Sequence, residues 1–332
     1  VKRILVTGGC GFIGSHFVRR MLGRHPELEV VNLDALTYAG NPANVADVAG
    51  DPRYRFVHGS ICDPDAVADA ADGAEAIVNF AAETHVDRSI LGSQDFIATN
   101  VLGTRVLLEW IREHGGRLLQ VSTDEVYGDV PPGVSSGEDD ALRPSSPYSA
   151  AKAGGDLQVL AYVRTYGVDA VITRGANNYG PNQYPEKLVA LFTTNLLDGE
   201  PVPVYGDGMQ SRDLIHVDDH CAGIETALHA AQRGDVLNVG GGHEVPNLET
   251  ARLLLELTGR DETFIRHVTD RPGHDRRYSL DTSRLRGMGW SCQVGLREGL
   301  ARTVEWYRDN RAWWEPIKHG TGFTAYRERQ YG

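Results

Sequence analysis

The chain is short of cysteine, of positive charge and of long apolar runs, and each shortage excludes a class of protein. Its four cysteines in 332 residues, Cys10, Cys62, Cys221 and Cys292, stand far apart, with no Cys-x-x-Cys pair and no paired histidines at ligand spacing. Neither a disulfide framework nor a metal is expected, and the four read as small buried thiols. Lys and Arg number 33 against 45 Asp and Glu, a formal net charge of −12. The surface therefore lacks the concentrated positive field that nucleic acid or an anionic membrane requires. No apolar run approaches the roughly 20 residues that cross a bilayer, and no opening stretch has the layout of a signal peptide. The expected location is the cytoplasm. Repeats and low-complexity tracts are also missing.

What is there is a soluble composition, 41% hydrophobic and 23% charged, in a chain long enough for two lobes. Residues 3–7 (RILVT) read as a short strand, followed at once by Gly8, Gly11 and Gly14 and then by a helix to about Leu22, with Gly23 placed to end it. Glycines in that setting let backbone N–H groups approach a pyrophosphate at the positive end of a helix. A second strand, 29–33, delivers Asp34, where an acid holds ribose hydroxyls and repels a 2′-phosphate, so NAD is favoured over NADP. Strands at 55–58, 76–79, 118–121 and 170–174 alternate with helical runs at 64–72, 94–114 and 147–166. The fold class is α/β, a Rossmann-type doubly wound parallel sheet, whose ligands sit beyond the carboxyl ends of the strands. The stretches 81–87, 123–125 and 177–178 fall there.

After residue 174 the pattern loosens into proline- and glycine-punctuated segments with helices near 186–198, 247–258 and 296–310, as suits a smaller, interleaved α/β cap that binds substrate. A helix at 218–232 returns to the sheet. The expected division is 1–178 with 213–241 as the dinucleotide domain, and 179–212 with 242–332 as the cap.

The stretch LLQVSTDEVYG at 118–128 ends a buried strand in Ser122, Thr123, Asp124 and Glu125. Carboxylates are costly to bury, so the two acids are either a solvated loop in which Asp124 caps the next helix or a catalytic acid and base. Tyr148 and Lys152 lie four apart at the start of a helix, which puts an ammonium on the face of the phenol where it favours the ionised form. With the glycine fingerprint upstream, the catalytic reading gains. His85 and Asp87 read at least as well as salt-linked structural residues as they do as substrate contacts, and they stay outside the catalytic set. The basic segment DRPGHDRRY at 270–278 reads either as a diphosphate pocket or as a surface patch paired with local acids.

Together TGGCGFIGS (7–15), DALTYAGN (34–41), AAETHVDRSI (81–90), STDEVYG (122–128), YSAAK (148–152), NNYGP (177–181) and DRPGHDRRY resemble the dTDP-glucose 4,6-dehydratases, extended short-chain dehydrogenase/reductases. The resemblance spans nearly the whole chain. It implies a homodimer formed through the helices at 94–114 and 147–166, a tightly held NAD, and dTDP-glucose as substrate. By position, Gly8, Gly11, Phe12, Ile13, Gly14, Asp34, Leu36, Thr37, Ser60, Ile61, Ala81, Ala82, Thr99, Tyr148, Lys152 and Asn178 match cofactor contacts. Thr84, Thr123, Asn177, Lys187, Leu188, Pro203, Tyr205, Arg212, Asn247, Arg271 and His274 match substrate contacts. Ser60 stands where the family usually has Asp, Cys10 where Ala is usual, and Leu214 and His216 where aromatics are frequent.

The chemistry so implied oxidises C4 of the hexose, eliminates water across C5 and C6, and returns hydride to C6. Tyr148 and Lys152 would take the C4 hydroxyl proton with Thr123 on the same oxygen, Glu125 would remove the C5 proton, and a neutral Asp124 would donate to the departing hydroxyl. A 4-epimerase needs no such acid and base, a UDP-glucuronate decarboxylase is a closer rival, and a non-catalytic NAD-sensing regulator would have no use for Tyr148 and Lys152.

Overall fold

The computed structural model describes residues 1–270 and 272–325. In chain order the strands are β1 (Arg3–Thr7), β2 (Glu29–Asp34), β3 (Tyr54–His58), β4 (Ala76–Asn79), β5 (Arg117–Thr123), β6 (Asp169–Gly175), β7 (Asn177–Tyr179), β8 (Val202–Tyr205), β9 (Ser211–His216), β10 (Val236–Val239), β11 (Glu244–Pro246) and β12 (Ile265–Val268). Seven of them form one sheet in the order β10-β6-β5-β4-β1-β2-β3, every neighbour parallel.

The inner strands are apolar throughout because both faces of the sheet are covered. Alternate side chains take opposite sides. Leu5, Ile77 and Leu118 enter a core with Leu107, Leu108 and Val159, under the helices Thr104–His114 and Pro147–Tyr166. Ile4, Val78 and Leu119 enter a second core with Phe17, Val18 and Ile224, under Phe12–Arg24 and Val217–Ala230. The strand order reverses between β1 and β4, which opens a crevice at their carboxyl ends.

Outside the large sheet lie a three-stranded sheet, β11-β9-β7, and a parallel pair, β12-β8. A third core, including Tyr179, Phe192, Val204, Leu254 and Leu300, joins these to the helices Leu188–Asp198, Asn247–Thr258 and Leu296–Asp309.

The structure corrects several local expectations. Gly23 does not end the first helix, which runs to Arg24; Pro26 restricts the residue before it and stops the helix there. The run 94–114 is helical but not uniform, with a wider π-type turn at Ala98–Gly103. Within that turn Asn100 is buried, and its side chain bonds both the N–H and the carbonyl of Glu83, tying the helix to the loop after β4. Cys62 is exposed rather than buried, because it lies in the turn before the helix Pro64–Ala71.

Candidate active site

The carboxyl ends of the central strands, the loops that leave them and the facing cap enclose a cavity of about 430 Å3. Of the residues expected to touch cofactor or substrate, all but two line it. Arg271 lies outside the described residues. Leu36 stands off the wall in a left-handed turn, φ 50°, and contributes through its backbone, whose N–H donates to Asp34 Oδ1 at 2.8 Å.

At one end the residues fit a dinucleotide. A Cβ on Gly14 would fall 2.3 Å from the Gly8 carbonyl oxygen, so only glycine lets the helix Phe12–Arg24 start so tightly against the turn. That helix begins at Gly11 with no side-chain cap, which leaves its first N–H groups and its positive end for an anion. Asp34 accepts from the N–H groups of Cys10 and Leu36, both at 2.8 Å, and its remaining lone pairs face the cavity wall it helps to form. Burial nevertheless raises its pKa. Ser60, in place of the family's Asp, accepts from the Cys62 N–H at 3.1 Å and brings no charge. Asn177 and Asn178 each have a buried side-chain oxygen without a partner on the same wall, ready to accept from a ligand.

At the other end the two acids emerge from β5. Thr123 closes the strand and caps a short 3-10 turn, Asp124–Val126, by accepting from the Glu125 N–H at 3.3 Å. The cap is therefore Thr123, and Asp124 is not a helix-capping residue. Asp124 is 2% exposed. One of its oxygens lies 3.2 Å from the Thr123 hydroxyl and the other has no partner. Burial pushes its pKa well above the ordinary carboxyl value, and the nearby acids Glu125 and Asp213 push it further. That direction favours the protonated form of Asp124, the form the elimination requires.

The ionised phenol is where the structure departs from the sequence. Lys152 is buried and donates to the Val121 carbonyl at 2.7 Å, while burial lowers its pKa to about 8. Burial raises the pKa of Tyr148 and the Glu125 carboxylate adds to it; a hydrogen bond with Thr123 works the other way. The net direction for Tyr148 is upward, toward the protonated phenol rather than the phenolate. The four-residue spacing does place both side chains on the cavity wall, but the lysine is turned toward the strand.

Replacing Asp124 by Asn tests the assignment of its proton. A carboxyl whose folded pKa is raised binds more protons folded than unfolded, so stability declines as pH rises from the unfolded value through the folded one. Asn keeps the neutral shape at all pH. The variant is expected to be more stable than the parent at pH 7, by roughly 0.5–2 kcal/mol, with the gain vanishing in acid, and to lose water from the substrate about 10²-fold more slowly. Urea unfolding at several pH values checks the first part; a destabilised variant at pH 7 would contradict it.

Several cavity residues lie outside the contact set expected from sequence. His85 and Asp87 line the wall, and Tyr205 of the cap donates to Asp87 at 3.2 Å. Glu186, beside the expected Lys187, accepts from Tyr38 and from Arg88, both at 2.8 Å, and so ties the loop after β2 to the start of the cap. His220 lines the cavity from the helix Val217–Ala230. The basic segment divides: His274 faces the cavity, held by Asp270 at 2.6 Å, whereas Arg276 and Arg277 form ion pairs with Asp207 and Glu244. For those two arginines the paired surface patch is the observed arrangement.

Comparison with known proteins agrees with this geometry. The sequence model described as "NAD dependent epimerase/dehydratase family" matches residues 4–240. The dTDP-glucose 4,6-dehydratase of Streptomyces niveus is 55% identical over 322 residues, covering 95% of this chain and 96% of that one. The crystal structure of DesIV, a dTDP-glucose 4,6-dehydratase from Streptomyces venezuelae solved with NAD bound, superposes with a TM-score of 0.93 at 55% identity, covering 95% of this chain and all of that one. A UDP-glucose 4-epimerase from Thermus thermophilus, also solved with NAD, has a TM-score of 0.86 at 33% identity over 93% of this chain and 99% of its own. The glycine turn, the strand-end acids and the Tyr–Lys pair thus sit on a scaffold shared with these enzymes, and the chain belongs to the NAD dependent epimerase/dehydratase family.

Proposed function

We propose that this protein is a dTDP-glucose 4,6-dehydratase, a lyase converting dTDP-D-glucose to dTDP-4-keto-6-deoxy-D-glucose and water. The observation that carries the reading is the pair of acids on the turn after β5, with Asp124 buried beside Glu125. An epimerase has no elimination to catalyse and no need of that pair. The relatives at 50–55% identity named as dehydratases support the same choice over the epimerase at 33%.

NAD would be held by the glycine turn, Asp34 and Asn178, and the chemistry it supplies when bound is removal of hydride from C4 and its return to C6. The protein's own residues do the rest. Thr123 and Tyr148 bind the C4 oxygen and take its proton. Once C4 is a ketone, the C5 carbanion can spread onto oxygen, and Glu125 removes the C5 proton, giving it back to C5 when hydride returns to C6. Asp124 then protonates the departing C6 hydroxyl, so that water rather than hydroxide leaves. On the cap side Arg212, Asn247 and His274, with Arg271, are assigned to the nucleotide. The division into a dinucleotide domain, 1–178 with 213–241, and a cap made of the remainder is part of the proposal.

Two further assignments rest on the surface. Ile97, Leu102, Leu157 and Tyr166 are each more than half exposed on the helical runs 94–114 and 147–166, which supports a homodimer through those helices. Among the described residues no helix is long and apolar enough to cross a membrane; a cytoplasmic location without membrane or nucleic-acid partners is part of the proposal and rests on the net charge of −12. Separate incubations with dTDP-glucose and UDP-glucuronate, read by mass spectrometry, test the function. Loss of water from the first supports it, and loss of carbon dioxide from the second with the first unchanged overturns it.

A further inference from the structure

One group on the cavity wall has no part in the chemistry above. His220 is 1% exposed, lines the cavity, and has no hydrogen-bond partner for either ring nitrogen among the described residues. A buried polar ring with both nitrogens unsatisfied is costly, and a neutral imidazole offers one donor and one acceptor. The ring reaches the wall through a gap in β6: a Cβ built on Gly175 would fall 2.5 Å from His220 Nε2. Any side chain at Gly175 would shut that opening. Gly175 is paired in the sheet with Thr123, so the imidazole stands beside the strand ends that carry the reacting residues.

Position decides which part of a dinucleotide the ring can meet. Asp34, on β2, lies four strands from Gly175, on β6, a separation of about 19 Å at ordinary strand spacing. The ribose end is bound at the first, so only the nicotinamide end reaches the second. Its carboxamide carries an acceptor oxygen and a donor N–H2, the complement of what the imidazole presents. His220 comes from the helix on the face of the sheet opposite to Pro147–Tyr166, which bears Tyr148. Burial lowers the His220 pKa to about 4, so the ring stays uncharged and does not repel a cationic nicotinamide.

We infer that His220 is a cofactor-positioning residue that hydrogen-bonds the nicotinamide carboxamide of NAD through the opening left by Gly175. It fixes the rotation of that ring, and with it the face turned toward the sugar. The inference rests on the assignment of NAD made above and deepens it.

The test uses protein stripped of nucleotide and titrated with NAD and, separately, with ADP-ribose, which lacks the nicotinamide. His220→Leu is expected to weaken NAD on the order of 10-fold, one hydrogen bond's worth, and to leave ADP-ribose unchanged. His220→Gln, whose amide also donates and accepts, is expected to recover part of the loss. Equal weakening of both ligands would reduce His220 to a packing residue and overturn the inference, as would unaltered NAD affinity. No sugar is present in these titrations, so their failure leaves the dehydratase reading standing. Normal NAD binding without conversion of dTDP-glucose would do the reverse.

Discussion

Replacing Glu125 by Gln is expected to let the first oxidation proceed and to stop the reaction there. Reduced-nicotinamide absorbance should rise when dTDP-glucose is added, while formation of the 4-keto-6-deoxy product falls by roughly 10²–10⁴-fold. Glu125 follows Asp124 on the 3-10 turn after β5, its backbone fixed by the Thr123 hydroxyl. Its carboxylate acts on both neighbours, raising the pKa of Asp124 and of Tyr148, which puts a base within electrostatic reach of the acid and the phenol. Gln keeps the side-chain length but cannot take a proton from carbon. Oxidation at C4 has no use for that base, so hydride leaves C4 and the C5 proton then stays in place. Full turnover by the variant would remove Glu125 from the mechanism. A variant that neither turns over nor gains absorbance would show that Glu125 acts before elimination, in binding or orienting the sugar.

Much of this site was legible because its signals are local. A strand that runs from apolar residues into Thr-Asp-Glu without a turn marks two acids at a strand end, the catalytic reading gaining only with Tyr148, Lys152 and the glycine turn, and β5 carries its pairing through Thr123 as that reading needs. The glycine turn likewise has its meaning only between a strand and a helix, and both are present. Relations across long separations were not legible. For Arg276 and Arg277 the choice between an anion pocket and a paired patch stayed open because sequence does not reveal that Asp207 and Glu244, 69 and 33 residues away, fold against them. His220 belongs to an ordinary buried helix face, and its access to the cavity depends on a glycine in another element. The Tyr148–Lys152 spacing correctly gave a shared face but not a rotamer, and the nearest strong acceptor for the ammonium proved to be a strand carbonyl.

That last difference shapes the second large effect. Tyr148→Phe is expected to abolish the first step, lowering product formation by roughly 10³–10⁴-fold with no rise in reduced-nicotinamide absorbance. The ring packs with Val86, Phe96 and Ala151, and Phe preserves those contacts, so loss of the phenol removes little besides one hydroxyl beside Thr123. The raised pKa of Tyr148 makes the unliganded protein a poor base. NAD held in the cavity that Tyr148 lines would bring a positive charge to the site and so lower the cost of giving up the phenol's proton. Because the steps are sequential, Tyr148→Phe combined with Glu125→Gln should behave as Tyr148→Phe alone, with no absorbance signal and no further loss of rate. Near-normal activity in the single Tyr148→Phe variant would exclude the phenol as the base. Absorbance that builds up in the double variant would show that another group takes the C4 hydroxyl proton.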